Sequence, residues 1–94
     1  MLDYDSLHSW ADRHWESSII PSLSEFISIE ALSPGFEPEW ERKGELQGAI
    51  DLFCKWVEEQ NLDGCSITTL SLEGRTPILI INIQGTASGE VLFY

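Results

Sequence analysis

The sequence predicts a small domain of class α/β, with α+β as the alternative, in which two amino-terminal helices pack on a small three-stranded sheet. Three observations lead to this prediction. Apolar residues recur at helical spacing in the first part of the chain, with an interruption at Pro21. Runs rich in β-branched residues follow Gly64, and turn-forming sequences separate those runs. Helices followed by strands favour a layered domain over a helix bundle.

The first helix is predicted to begin near Asp3 or Asp5, because either carboxylate can cap free backbone N–H groups. Its apolar stripe consists of Leu7, Trp10, Ala11 and His14, broadened by Trp15. Pro21 lacks a backbone N–H and crowds the preceding turn, so it interrupts the hydrogen-bond ladder. The same period resumes at Leu23, Phe26 and Ile27. We expect either one helix kinked near Pro21 or two helices in succession.

A loop over residues 33–38 is predicted to separate this helix from a second one, since two prolines and a glycine prevent a continuous helix there. The second helix shows a single apolar face at spacings of i, i+3, i+4, i+7 and i+11. That face consists of Leu46, Ala49, Ile50, Phe53 and Val57. Gly64 is expected to take the left-handed conformation after the last turn.

Three strands are predicted after the helices. The first covers residues 65–72, and residues 73–77 turn the chain. The second covers residues 78–83, which is the strongest strand signal in the sequence. Residues 84–89 form a second turn, and a third strand begins at Glu90. The prediction is a single domain, 1–94, with a helical part over 1–62 and a strand part over 65–94.

This domain is predicted to be incomplete. Alternate side chains of a strand point to opposite faces, so Leu79, Ile81 and Ile83 lie on one face and Ile78 and Ile80 on the other. Both faces are therefore apolar, which is typical of a strand covered on two sides. Two helices offer limited cover, and residues 91–94 (Val-Leu-Phe-Tyr) form a further apolar run without a polar residue to blunt an edge. We expect missing material on the carboxyl side.

Charge and cysteine usage narrow the function classes. The net charge is −11, which argues against nucleic acid and anionic membranes as partners, because both bind through lysine and arginine. No run approaches the roughly 20 apolar residues of a membrane span, and the acidic amino terminus does not resemble a signal peptide. Without an export signal, Cys54 and Cys65 are expected to be reduced, mostly buried thiols, which favours a cytoplasmic location.

Several segments of the chain, taken in their order along the sequence, resemble the amino-terminal part of a family of zinc-dependent metallopeptidases. Residues 19–29 (Ile-Ile-Pro-Ser-Leu-Ser-Glu-Phe-Ile-Ser-Ile), followed by Leu32-Ser33, resemble that family's first helix and loop. The helix over 44–60, the hairpin with residues 74–79 (Gly-Arg-Thr-Pro-Ile-Leu) and residues 89–94 (Gly-Glu-Val-Leu-Phe-Tyr) follow in the family's order. The family includes carnosine dipeptidase, the glutamate-releasing carboxypeptidases, acetylornithine deacetylase and succinyl-diaminopimelate desuccinylase.

This resemblance implies a parent enzyme with two zinc ions that hydrolyses a peptide or amide bond beside a free carboxylate. In the family, the strand resembling residues 91–94 runs into a Gly-His-x-Asp motif whose His binds zinc. The present sequence contains no such motif, so no metal ligand or catalytic residue of the family is assigned here. The resemblance therefore implies a fragment of a larger catalytic domain that is inactive alone and contributes its first helices and part of its sheet.

The residues themselves support no catalytic, metal-binding or cofactor-binding site. His8 and His14 lie about 240° apart around a helix, so one metal ion cannot bind both. His8 and Asp12, at i and i+4, are expected to form a surface pair, and His14 is expected to be a half-buried structural residue. No GxSxG motif accompanies the serines, and Gly85 and Gly89 do not match a phosphate-binding loop.

The remaining candidates are the acidic and aromatic residues. The carboxylates are expected to be a solvated face or a helix start, and they are Glu37, Glu39, Glu41 and Glu45. The tryptophans are expected to be mainly packing residues, although Trp40 and Trp56 lie outside the clearest apolar face and are candidates for a binding surface.

Two rival functions stay open beside the metallopeptidase fragment. The first is a stand-alone acidic interaction module that pairs with itself or another protein through the edge strand at residues 91–94. The second is an inhibitor or regulator whose acidic surface occupies a basic site, for which binding would weaken as salt rises.

Overall fold

The computed structural model describes residues 3–94; Met1 and Leu2, which begin the acidic amino terminus considered above, lie outside the described residues. The described chain divides into two compact units, one ending at Ala49 and one beginning at Ile50. In chain order, the elements are α1 (Tyr4–His14), a π-helical turn (Trp15–Ile19), α2 (Ile20–Ile27), α3 (Trp40–Lys43), α4 (Glu45–Glu59), β1 (Cys65–Leu70) and β2 (Ile78–Ile83).

Helix α1 begins where the sequence predicts. Asp3 is its N-cap, and one carboxylate oxygen accepts hydrogen bonds from the backbone N–H groups of Asp5 and Ser6 at 3.1 and 3.2 Å. The second oxygen accepts from the Ser6 hydroxyl at 2.7 Å. These bonds satisfy donors that have no partner inside the helix, and the negative charge lies at the positive end of the helix dipole.

The predicted interruption near Pro21 takes the form of a π-helical turn. The turn covers Trp15–Ile19, and the backbone N–H of Ile20 donates to the carbonyl of Trp15, five residues earlier. Pro21 then lies in the first turn of α2, directly after the π-helical turn, and it supplies no N–H to the hydrogen bonds of this helical stretch. The hydroxyl of Ser17 also donates to the carbonyl of Arg13 at 2.7 Å, a bond associated with local helix distortion.

Helix α4 is confirmed, and its predicted apolar face contains the most buried residues of the described chain. Ala49 is 6% exposed and Val57 is 9% exposed. Gly44, with φ of 71°, precedes the helix, and its carbonyl accepts from the Gly48 backbone N–H at 2.9 Å. At the other end, Asn61 takes the left-handed conformation with φ of 51°. Asn61, rather than Gly64 alone, therefore turns the chain out of the helix.

Strands β1 and β2 form an antiparallel hairpin in continuous register from Cys65 opposite Ile83 to Leu70 opposite Ile78. Gly64, with φ of 68°, closes the open end of the hairpin, since its carbonyl accepts from the Gln84 backbone N–H at 3.0 Å. The predicted turn over residues 73–77 is confirmed: Gly74 has φ of 72°, and the backbone N–H of Arg75 donates to the Leu72 carbonyl at 3.0 Å.

The predicted three-stranded sheet is wrong. The sheet of the described residues has two strands, in the order β1-β2, and residues 84–94 adopt no strand. The only strand pairing is antiparallel, so the described chain is a mixed α+β structure with much helix, and the first choice, α/β, is wrong as well. A strand requires a paired backbone as well as an apolar sequence, and residues 91–94 have the sequence without the pairing.

Candidate functional site

The histidines occupy structural positions on α1. His8 Nδ1 lies 3.3 Å from Asp12 Oδ2, and both side chains are exposed, as expected for a surface pair. His14 is half-buried, and its ring stacks on Trp10 with 4.8 Å between ring centroids and 14° between planes. The predicted half-burial of His14 is confirmed. The structure does not bring the two imidazoles to one site, because their positions fall on different sides of the helix.

The acidic residues before α4 form ion pairs and hydrogen bonds that hold the loop onto α3. Lys43 Nζ donates to Glu37 Oε2 at 2.7 Å, and the backbone N–H of Glu39 donates to Glu37 Oε1 at 2.9 Å. Arg42 Nε donates to Glu39 Oε2 at 3.0 Å. The hydrogen bonds from Lys43 and from the Glu39 backbone lower the pKa of Glu37, and the bond to Glu37 raises the pKa of Lys43. The lowered pKa favours the charged form of Glu37, which is unsuited to general-acid chemistry at neutral pH.

The burial of the tryptophans does not follow the expected division between packing residues and binding candidates. Trp40 and Trp56, the two considered as binding candidates, are half-buried, whereas Trp10 and Trp15 on the first helical segment are exposed. Gly89 has φ of 99°, and no helix follows it, so residues 85–89 do not form the helix-opening loop that binds phosphate.

Cys54 and Cys65 are free thiols in the described chain, as the sequence predicts, and both are half-buried. Cys54 lies on α4 and Cys65 opens β1. Neither forms a disulfide, so no covalent cross-link joins the hairpin to α4 within the described residues.

The largest anomaly of the second unit is its exposed apolar surface. On β2, the four isoleucines are each 42–58% exposed, and they are Ile78, Ile80, Ile81 and Ile83. They lie on both faces of the strand, and neither face is fully covered, although Cys65, Ile67 and Leu79 on one face are half-buried. Residues 91–94, which we call the apolar segment, are each at least 81% exposed. Burial of apolar side chains stabilises a fold, so this exposed apolar surface is unusual for a small domain.

The accessible surface of the chain is also larger than that of compact units of this size. The accessible surface is 8140 Å², whereas two compact units of half this mass would together expose about 6,600 Å² even without touching. The chain therefore exposes about 1,500 Å² more than this compact reference. Because the strands and the apolar segment carry many of the exposed large side chains, we take them as the candidate functional surface, one for association rather than catalysis.

A metal centre has no support within residues 3–94. No three His, Cys, Asp or Glu side chains of that range are placed to hold a metal ion together. No helix of the same range has the length and apolar character needed to cross a membrane. The sequence matches no protein-family model and no curated protein.

Two features of the surface were missed or misread by sequence reasoning. Helix α3 and its ion pairs were not predicted, although Glu39 and Arg42 have the i, i+3 spacing of a helical salt bridge. The sequence predicts that the helices cover the strands incompletely, but it also predicts that the apolar segment pairs as a third strand. The local sequence does not show whether this segment pairs, because pairing depends on whether a strand elsewhere in the fold has a free edge.

Proposed function

We propose that this chain is the amino-terminal part of a zinc-dependent metallopeptidase, a dipeptidase-like hydrolase of peptide or amide bonds, and that it is inactive by itself. The observation that carries the proposal is the uncovered apolar surface of β2 and the apolar segment. Such surface is characteristic of a strand that lies inside a larger sheet. In the proposed parent enzyme, the remaining polypeptide of the catalytic domain provides the cover and the catalytic groups.

Three further observations support this proposal. The helix over 45–59 and the hairpin over 65–83 are elements that the resemblance predicts, whereas the strand that it predicts over residues 89–94 is not formed in the described chain. The excess accessible surface of about 1,500 Å² is expected for a chain that lacks part of its packing environment. The small buried set, Ala49 and Val57, is also a weak core for an independent domain of this size.

The residues of this chain do not fit a zinc site on their own. A catalytic zinc requires three protein ligands, and the His8–Asp12 pair supplies two groups on an exposed helix surface. Zinc in the proposed parent would lower the pKa of water and polarise the amide carbonyl. We assign no step of that reaction to a residue of this chain.

The proposed compartment is the cytoplasm. Both cysteines are free, and reduced thiols are typical of cytosolic proteins. This assignment rests on the two free thiols, and it is independent of the metallopeptidase proposal.

The proposal is tested by extending the chain. The gene should encode a Gly-His-x-Asp motif directly after Tyr94, and the full-length product should hydrolyse dipeptides in a zinc-dependent manner. The 94-residue chain serves as the first control and should be inactive under the same conditions. A full-length variant in which the His of that motif is replaced by Ala is the matched second control.

Two results would contradict the proposal. The first is a coding sequence that continues without the motif or stops after Tyr94. The second is a full-length product whose hydrolysis of dipeptides persists after chelation and after replacement of the motif His. Circular dichroism of the full-length product and of its motif-His variant checks that both are folded, so that a loss of activity is not mistaken for a failure to fold.

A further inference from the structure

We propose that the 94-residue chain forms a symmetric dimer in which the apolar segment of each copy adds as a strand to the outer edge of β2 in the other copy. This proposal concerns the association of the isolated chain and does not rest on the metallopeptidase proposal. A second copy of the chain covers the exposed surface, and its residues 91–94 make the contact.

The outer edge of β2 is open to strand addition. β2 pairs with β1 along one edge, over all six of its residues, and within the described chain no other strand pairs with its second edge. In an antiparallel pair, alternate backbone N–H and C=O groups point away from the partner strand. The outward groups of β2 are therefore available to another extended segment.

That edge also lacks the features that protect natural edges. β2 consists of Ile, Leu and Asn residues only, with no charged side chain and no proline within it. Lysine, proline and bulges are the usual means of preventing edge-to-edge pairing. Pro77 precedes the strand, so it leaves the outward N–H groups of β2 unaffected.

The apolar segment is complementary to this edge. Once extended as a strand, the segment would place Val91 and Phe93 on one face and Leu92 and Tyr94 on the other. β2 is apolar on both faces apart from Asn82, so either register places apolar side chains beside apolar side chains. The outer edge of β1 is a poorer match, because its neighbours would include Ser66 and two threonines.

A second copy is the occupant that fits the available area. Phe93 and Tyr94 can each bury about 150–250 Å², and reciprocal exchange doubles every contact. Together with the matching β2 surface, the exchange approaches the roughly 1,200–2,000 Å² of a stable protein interface. In the structure, the chain's own segment is exposed and forms no strand, so the edge of β2 is free to accept another copy.

Charge gives the dimer a recognisable salt dependence. Each chain carries a net charge of −11, so two copies repel each other at low ionic strength. The contacting segments, residues 78–83 and 91–94, contain no Asp, Glu, Lys or Arg, so their contact needs no ion pair. Added salt screens the repulsion and leaves the apolar contact, and we expect dimerisation to strengthen as salt rises.

The test is analytical ultracentrifugation of the 94-residue chain over a wide concentration range, with hydrogen exchange measured on the same samples. We expect a monomer–dimer equilibrium and slower amide exchange in residues 78–83 and 91–94 as the dimer forms. The Phe93→Lys variant places a charge in the contact and should raise the dissociation constant at least about tenfold. Phe93 is 88% exposed, so this change should leave the fold of the chain intact.

The matched control is Phe36→Lys, because Phe36 is also a highly exposed phenylalanine, at 81%, and lies in the first unit. It should leave the dissociation constant unchanged. A chain that stays monomeric at all concentrations, a dimer that both variants weaken equally, or protection of residues 91–94 in the monomer would each overturn the proposal.

Discussion

At the scale of single residues, a few polar and glycine positions determine where the elements begin and end. Asp3 caps α1, and the hydrogen bonds from the Ser6 side chain and backbone lower the pKa of its carboxyl. Gly64 has a left-handed backbone and a close neighbour, whereas Gly74 has the same backbone with open space around it. The Glu37–Lys43 pair secures the loop before α4. Each of these roles is local, and two of them lead to measurable predictions.

Replacement of Gly64 by Ala should destabilise the chain more than replacement of Gly74 by Ala. Both glycines have positive φ, 68° and 72°, so each alanine incurs a backbone cost of about 1–2 kcal/mol. At Gly64 the added methyl would also lie 3.3 Å from Gln84 Cβ and 3.4 Å from its carbonyl oxygen. Urea denaturation of both variants measures the difference in the free energy of unfolding. Equal midpoints for the two variants would show that the hairpin end adjusts without cost.

Replacement of Lys43 by Met should raise the pKa of Glu37 toward its ordinary value of 4.5. The hydrogen bond from Lys43 is the largest cause of the lowered pKa, while the bond from the Glu39 backbone remains. Carbon-detected NMR titration of the Glu37 carboxyl measures the change. The control is Lys55→Met, which should leave that pKa unaltered; an unchanged pKa in Lys43→Met would contradict the ion pair.

The Glu37–Lys43 ion pair should hold the loop before α4 only within a limited range of pH. Because the pKa of Glu37 is lowered on folding, its contribution to stability is complete above pH 4.5 and is lost as pH falls through the lowered pKa. Because the pKa of Lys43 is raised, its contribution is complete below pH 10.5 and is lost as pH rises through the raised pKa. Hydrogen exchange in residues 33–44 should therefore accelerate at both extremes and stay slow between them. Exchange that is independent of pH, after correction for intrinsic rates, would contradict this window.

At the scale of elements, helices were predicted more reliably than strands. The period of apolar residues placed α4 correctly, and the interruption at Pro21 corresponds to the π-helical turn before α2. Helix geometry depends on neighbours three and four residues away, so a single sequence contains most of the information. The hairpin was predicted because its two apolar runs flank a turn sequence. The third strand was wrong, since its partner would have to be an edge elsewhere in the fold.

The buried face of α4 is the element whose packing is most readily tested. Val57→Ala removes buried apolar surface and should lower the free energy of unfolding by about 1–1.5 kcal/mol. Val91→Ala is the same change at an exposed position and should alter it by less than about 0.5 kcal/mol at concentrations where the chain is monomeric. Thermal denaturation of both variants makes the comparison. A larger effect at Val91 would mean that the apolar segment is packed in solution.

At the scale of the whole molecule, the described chain leaves more apolar surface exposed than its size requires. Few residues are buried, and the isoleucines of β2 lie open on both faces. The proposed parent enzyme and the proposed dimer are two ways of covering that surface, and they apply to different polypeptides: the full-length product and the 94-residue chain. Neither requires a catalytic or metal-binding residue within residues 3–94, where no metal-binding group was found.

Zinc binding distinguishes the chain from the proposed full-length enzyme. Titration of the 94-residue chain with zinc, followed by calorimetry at neutral pH, should show no stoichiometric binding, because the His8–Asp12 pair supplies fewer than the three ligands required. His8→Ala is the control for weak surface binding. Tight binding of one ion per chain would contradict our assignment of the metal ligands to the rest of the parent enzyme.

The amino-acid sequence alone determined the helical stretches, the loop over residues 33–38, the hairpin turn and the apolar character of both faces of β2. These features follow from local spacing, capping and turn chemistry, which act between residues near one another in the chain. The tertiary structure decided the number of paired strands, the local ion pairs around α3 and the exposure of the apolar segment. Strand pairing and burial depend on which distant groups meet, and local sequence does not encode that outcome.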